Sequence, residues 1–210
     1  MSMLNKYLSV ARSASAELVE KKSRFIASVS PAESETEALD FISNIRAKNR
    51  GARHNVYAYK IADDTVTQRF SDDGEPSGTA GMPVIEVINR TGIVNVAIVV
   101  TRYFGGILLG APGLTRAYAK SAAMGIEAAG IINNILCTIF KIKSTYSNIG
   151  KIRNAMAGKG YAVEDIDFAE EVDICVAVPE GEEKIFSDLI DEVTGKSAII
   201  IKDTQKYCQK

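Results

Sequence analysis

Hydrophobic and polar positions divide the chain into short elements of two periods. In residues 14–30 two strand-like runs, around Leu18-Val19 and Phe25-Ile26-Ala27-Ser28-Val29, bracket the polar Glu20-Lys21-Lys22-Ser23, the pattern of a hairpin. Ser34-x-x-Glu37 then reads as a capping box, in which the Ser oxygen accepts from an orphan amide and Glu37 reaches back. Ala38, Phe41, Ile42 and Ile45 follow at helical spacing, and Gly51 is the expected stop. Val56-Tyr57-Ala58-Tyr59 and residues 66–70 predict two strands joined at Asp63-Asp64. Val84, Ile85 and Ile88 predict a short helix over 82–89, although Val and Ile are poor helix formers. Residues 94–101 are apolar enough for a central strand. A longer helix is predicted over 114–129, with Leu114, Ala117, Tyr118, Ser121 and Ala128 on one face and Gly130 at its end.

After Asn133-Asn134 the pattern changes. Residues 136–143 alternate as a half-buried strand does, and Ile149, Ile152 and Met156 predict a helix ending near Gly158-Lys159-Gly160. A strand over 162–168 precedes the alternating Val172, Ile174, Val176 and Val178, and Pro179-Glu180-Gly181 breaks the chain. Ile185, Phe186, Leu189, Ile190 and Val193 form a helical stripe closed by Gly195, and residues 198–202 form a last strand. The order is βαββαβ, the ferredoxin-like unit. The fold class is therefore α+β with two domains, 1–133 and 134–210, and no internal repeat or low-complexity tract.

Composition fits that division. The 210 residues are 46% hydrophobic and 24% charged, so each half can bury a core. Net charge is −1, so strong global attraction to nucleic acid is not implied. Residues 1–133 carry 15 Lys+Arg against 13 Asp+Glu, and residues 134–210 carry 10 against 13, so an anionic partner is directed toward the first half. The three cysteines, Cys137, Cys175 and Cys208, form no CxxC pair. Neither a disulfide framework nor a zinc site is implied, and reduced thiols fit a reducing compartment. Cys137 and Cys175 are expected packed on strands, Cys208 exposed and incidental. The longest apolar stretch, 93–100, is broken by Asn95 and is far short of the ~20 residues of a spanning helix. With no apolar core in residues 1–12 to mark a secretory signal, a cytoplasmic location without membrane contact is expected.

Little of the chain offers chemistry. There is one histidine, His54, and HExxH, GxSxG and GxxxxGK[ST] are absent, so catalysis is not indicated and no metal or cofactor is implied. Asp72, Asp73 and Glu75 could form a carboxylate site or be a solvated turn. They open a loop, 72–81, dense in Gly and Pro, in which Ser77, Thr79 and the Gly78-Thr79-Ala80-Gly81 amides stand before a predicted helix, an arrangement that favours anions. A second Gly-rich stretch contains Gly105, Gly106, Gly110 and Gly113, which is not the dinucleotide-binding spacing. Gly105 and Gly106 allow close approach either of the protein's own elements or of a phosphate-bearing ligand. Arg102, at the end of the apolar strand, is either an anion clamp or a salt-bridge partner of Asp72, Asp73 or Glu75. Lys21-Lys22-Ser23-Arg24 and Arg50-Gly51-Ala52-Arg53-His54 are basic, with Tyr57, Tyr59, Tyr103 and Phe104 close in sequence; such groups grip nucleic acid by charge and stacking, or are solvated faces. His54 itself reads as a hydrogen-bonded structural histidine.

Taken together, Lys21-Lys22-Ser23-Arg24-Phe25-Ile26, His54-Asn55-Val56-Tyr57-Ala58-Tyr59, the run from Asp72-Asp73-Gly74-Glu75 to Gly81 and Val99-Val100-Thr101-Arg102-Tyr103-Phe104-Gly105-Gly106 resemble the IMPACT/YigZ family across the first domain. The second half resembles, by pattern, the small domain of bacterial members. One departure is Pro112, where the family has glycine; it removes an amide from that loop. The resemblance implies an N-terminal fold like the second domain of ribosomal small-subunit protein five and elongation factor G domain IV. It also implies a link to translation, by RNA or ribosome binding or by protein partners of translation control. The candidate contact residues are Arg53, His54, Asp72, Asp73, Glu75, Ser77, Thr79, Arg102, Tyr103, Gly105 and Gly106. A binder of, or an enzyme acting on, a small phosphorylated ligand is the alternative.

Overall fold

The computed structural model describes residues 4–63 and 65–209, and the chain forms two compact units, one holding residues 7–133 and the other 4–6 with 134–209. Asp64 of the expected Asp63-Asp64 turn lies outside the described residues.

A first strand, β1 (Lys6–Val10), has no counterpart in the pattern read from the sequence; Tyr7-Leu8-Ser9-Val10 is too short a signal. The hairpin is present as β2 (Ala14–Glu20) and β3 (Ser23–Pro31), in register from Ala14↔Val29 to Glu20↔Ser23. Lys21 and Lys22 have φ of 45° and 66°, so the two-residue turn is built from two left-handed residues, the backbone that Asn-Gly usually supplies. Helix α1 (Glu35–Lys48) starts at Ser34, whose Oγ accepts from the Glu37 amide at 3.2 Å. Glu37 returns to the Glu33 amide at 2.9 Å, one residue earlier than a capping box requires, and the helix ends at Asn49 rather than Gly51.

Strands β4 (His54–Ala62) and β5 (Val66–Ser71), helix α2 (Gly81–Thr91), strand β6 (Val96–Tyr103) and helix α3 (Ala111–Ala129) complete the first unit. Its sheet has the order β2-β3-β6-β4-β5, so β6 is central, as its apolar run predicts. Helices α2 and α3 cover one face through Val84, Ile88, Leu114, Tyr118 and Ile126, against Phe25, Val56, Ile98 and Val100. Helix α1 covers part of the other face through Ala38 and Ile42, against Tyr59, Ala97 and Val99. Val84, Ile85 and Ile88 are at most 3% exposed. Burying each contributes about 1.5–3 kcal/mol, well above the ~0.5 kcal/mol that each costs in helix propensity. Helix α3 begins three residues earlier than its apolar stripe suggests, with Pro112 in its first turn, where the missing amide has no intrahelical partner to lose. Its buried side runs through Ala122, Gly125 and Ile126 to Ala129, not Ala128, which is half-buried.

The second unit contains β7 (Ile131–Ser144), α4 (Ile149–Lys159), β8 (Ala162–Phe168), β9 (Val172–Pro179), α5 (Glu183–Thr194) and β10 (Ile199–Gln209). Antiparallel pairing places these strands as β10-β7-β9-β8, the ferredoxin-like order. Phe140, Ile142, Ile152, Met156, Ile174, Val176, Phe186 and Ile190 form the core between sheet and helices. Strand β10 runs to Gln209, beyond the expected residue 202, and this changes the place of Cys208. Cys208 is half-buried on the opposite sheet face, packed with Ile135, Cys137, Ile139, Cys175 and Ala177, and none of the three cysteines is in a disulfide. No helix among the described residues is long and apolar enough to cross a membrane.

Candidate functional site

The loop between β5 and α2 turns its carboxylates inward. Asp72 Oδ1 accepts from the Ala80 and Gly81 amides at 3.1 and 2.8 Å, and Oδ2 accepts from the Gly78 amide at 2.9 Å. The anion that the N-terminus of α2 attracts is therefore supplied by the chain itself. Asp73, at φ 45°, binds the Asn55 amide at 2.6 Å with Oδ2 and Arg46 at 2.8 Å with Oδ1, while its carbonyl oxygen lies 2.8 Å from His54 Nδ1. That carbonyl contact requires Nδ1 to carry the proton.

Glu75 enters the core. Its Oε1 takes Arg102 Nη1 at 2.6 Å and the Tyr118 hydroxyl at 2.7 Å, with His54 Nε2 3.9 Å away. Burial, and then the Glu75 carboxylate, push the Tyr118 phenol far above its ordinary value, so Tyr118 remains a donor. The Arg102 guanidinium also lies 5.4 Å from the Phe25 ring centroid and 5.6 Å from that of Phe104. Arg102 is 5% exposed, and its Nε has no hydrogen-bond partner among the described residues. Of the two roles open to Arg102, the geometry carries the salt bridge. Glu75 Oε1 thus joins Arg102 on β6 to Tyr118 on α3, a residue whose spacing in the sequence marked it only as core.

Thr79 is buried and donates to the Pro76 carbonyl at 2.7 Å, whereas Ser77 is exposed. Gly105 approaches the β2–β3 turn so closely that a Cβ would sit 2.0 Å from the Lys22 carbonyl carbon, and its amide donates to Ser23 Oγ at 3.2 Å. The partner of this close approach is the protein's own hairpin. Gly106, at φ 84°, faces open space. Tyr103 donates to Asn49 Oδ1 at 2.9 Å and stacks under Arg24, whose guanidinium carbon is 5.7 Å from the ring centroid.

Arg53 differs from these. It is exposed, with its guanidinium 5.7 Å from the Phe104 ring centroid. Lys21 and Lys22 are exposed at the hairpin turn, and Ile107 and Leu108 project from the loop after Gly106, Leu108 at 81% exposure. The candidate residues thus divide into an inner set, Asp72, Asp73, Glu75, His54, Thr79, Arg102 and Gly105, held in contacts within the fold, and an outer rim around Arg53, Phe104 and the lysines. Among the described residues no group of three His, Cys, Asp or Glu is placed to hold a metal ion. Arg116, Lys120 and Arg90, exposed on α3 and α2, were not singled out by the sequence, although the i, i+4 spacing of the first two marks a shared helix face.

Two family models match the chain: the Impact N-terminal domain over residues 21–126 and a domain of unknown function, DUF1949, over residues 142–196. The Bacillus subtilis IMPACT family member YvyE is 38% identical over 208 residues, covering 99% of this chain and 96% of that protein. The Escherichia coli IMPACT family member YigZ is 31% identical over 169 residues, covering 80% and 83%. Among solved structures, a crystal structure of a hypothetical protein aligns over 96% of this chain and 99% of its own, with TM-score 0.62 and 27% identity. With the fold and these matches in agreement from one end of the chain to the other, the protein belongs to the IMPACT family.

Proposed function

We propose that this protein is a cytoplasmic, non-catalytic factor associated with translation, which binds RNA, alone or in the ribosome, through the cationic and aromatic rim of its first unit. One observation carries the reading: the three carboxylates of the 72–81 loop are consumed within the fold, and exposed cations stand beside the Gly-rich loops. Asp72 caps α2, Asp73 holds Asn55 and Arg46, and Glu75 neutralises Arg102. Arg53 stacks on Phe104, and Lys21 and Lys22 stand at the turn that Gly105 braces. Charge next to an exposed ring suits a phosphate chain carrying stackable bases. The link to translation rests on family membership and on the resemblance of the first unit to the ribosomal and elongation-factor domains.

Fluorescence anisotropy with a labelled structured RNA at low salt tests it. Wild type is expected to bind, and Arg53→Ala, an exposed change that leaves the inner contacts intact, to bind several-fold more weakly. Absence of binding by wild type at low salt would move the reading to a protein adaptor.

A further inference from the structure

We infer that the sugar–phosphate backbone of the RNA is gripped by a stripe of four cations, Lys21, Arg116, Lys120 and Arg90, that crosses α3 between the β2–β3 turn and α2. The inference rests on the RNA reading above and extends its contact surface from the rim, at Lys21, across α3 to α2.

Two adjoining depressions make the stripe. A cavity of about 260 Å³ between the hairpin and α3 is lined by Lys21, Arg116 and Lys120. A groove of about 340 Å³ between α2 and α3 is lined by Arg90 and again by Lys120, over a floor of Val87, Ala119 and Ala123. Lys120 belongs to both, so the four charges are continuous. A small phosphorylated ligand needs one such depression, whereas a phosphate chain needs successive cations along a groove, and small side chains let its backbone approach.

The local chemistry agrees. Arg24, Arg46 and Arg102 of the same unit are each paired with a carboxylate, whereas among the described residues Lys21, Arg90, Arg116 and Lys120 are in no ion pair. Arg116 and Lys120 stand one helical turn apart, a like-charge spacing that weakens a helix slightly unless an anion joins them. Lys21 and Lys22 occupy left-handed positions at φ 45° and 66°, where Asn-Gly would be less strained; strain retained at such a site points to use of the side chains. A single carboxylate, Glu20, lines the first cavity and opposes a phosphate there.

The test is an anisotropy salt series on the full chain with a labelled RNA hairpin. The double variant Arg116→Glu/Lys120→Glu should bind at least about tenfold more weakly, with the slope of log affinity against log salt shallower by about 1.5. Glu20→Gln should bind more tightly than wild type, a gain that misfolding cannot imitate. Lys151→Glu/Arg153→Glu, the same change of net charge on α4, should bind as wild type does. Unchanged binding by the α3 variant, or an equal loss in the α4 variant, overturns the stripe. Loss in Arg53→Ala with full binding by the α3 variant overturns the stripe and leaves the RNA reading standing. No binding by wild type removes both.

Discussion

Arg102 and Glu75 meet at 2.6 Å inside the first unit, with side chains only 6% and 4% exposed. A buried pair of this kind adds little net stability, because desolvation of both ions offsets their attraction, but breaking it leaves one charge uncompensated. Arg102→Met or Glu75→Leu should each cost about 3–5 kcal/mol, and the double variant should recover a large part of that loss. Urea denaturation of the four proteins reads the coupling. Additive losses would show that the pair is not the unit described. Arg102 is therefore a poor probe of RNA contact, since its loss reports on folding first.

Asp72 satisfies three amides at the start of α2, and Asp72→Ala should destabilise the protein by about 1–2 kcal/mol, while Asp72→Asn should keep part of the cap. Thermal unfolding distinguishes them: equal melting points for wild type and Asp72→Ala would mean that the cap contributes nothing.

Gly105→Ala would put a methyl carbon 2.0 Å from the Lys22 carbonyl carbon, a clash with backbone that no rotamer relieves. About 3 kcal/mol or more of stability should be lost. Gly106→Ala meets open space but must hold φ 84°, so it should cost about 1 kcal/mol. The order of the two in chemical denaturation checks the packing of the loop on the hairpin.

Two tyrosines predict how stability responds to alkali. Burial first, then Glu75, raises the Tyr118 phenol; burial first, then Glu35, pushes Tyr59 up to about 12. Tyr59 donates to that Glu35 carboxylate. In the unfolded chain both ionise near pH 10. A group raised in the folded state stabilises fully below its unfolded value and loses that contribution as pH rises toward the folded value. The melting temperature should therefore fall from about pH 10 upward; tyrosinate absorbance from Tyr118 should rise only with unfolding, and that from Tyr59 only as pH nears about 12. Native protein showing full tyrosine ionisation near pH 10 would contradict the buried Glu75–Tyr118 bond.

Much of the fold was legible because local pattern and tertiary packing agree. The hairpin around Lys21-Lys22, the Ser34 start of α1 and the alternation in β9 are set by neighbours within a few residues. Legibility failed where a distant partner decides. Tyr118 and Glu75 are 43 residues apart, and nothing in either local run says that they bond. Asp72 reads as a turn former, and its role as the anion of α2 depends on the loop folding back on itself. Cys208 looked incidental because the strand that carries it is specified by pairing with β7, where it faces Ile135, rather than by an alternating run of its own.

The salt dependence of RNA binding by the unmodified protein tests the central claim most directly. If the rim and the stripe together neutralise several phosphates, log affinity should fall linearly with log salt, with a slope of about −3 or steeper. A slope near zero, or no measurable affinity at low salt, would contradict RNA binding through the first unit.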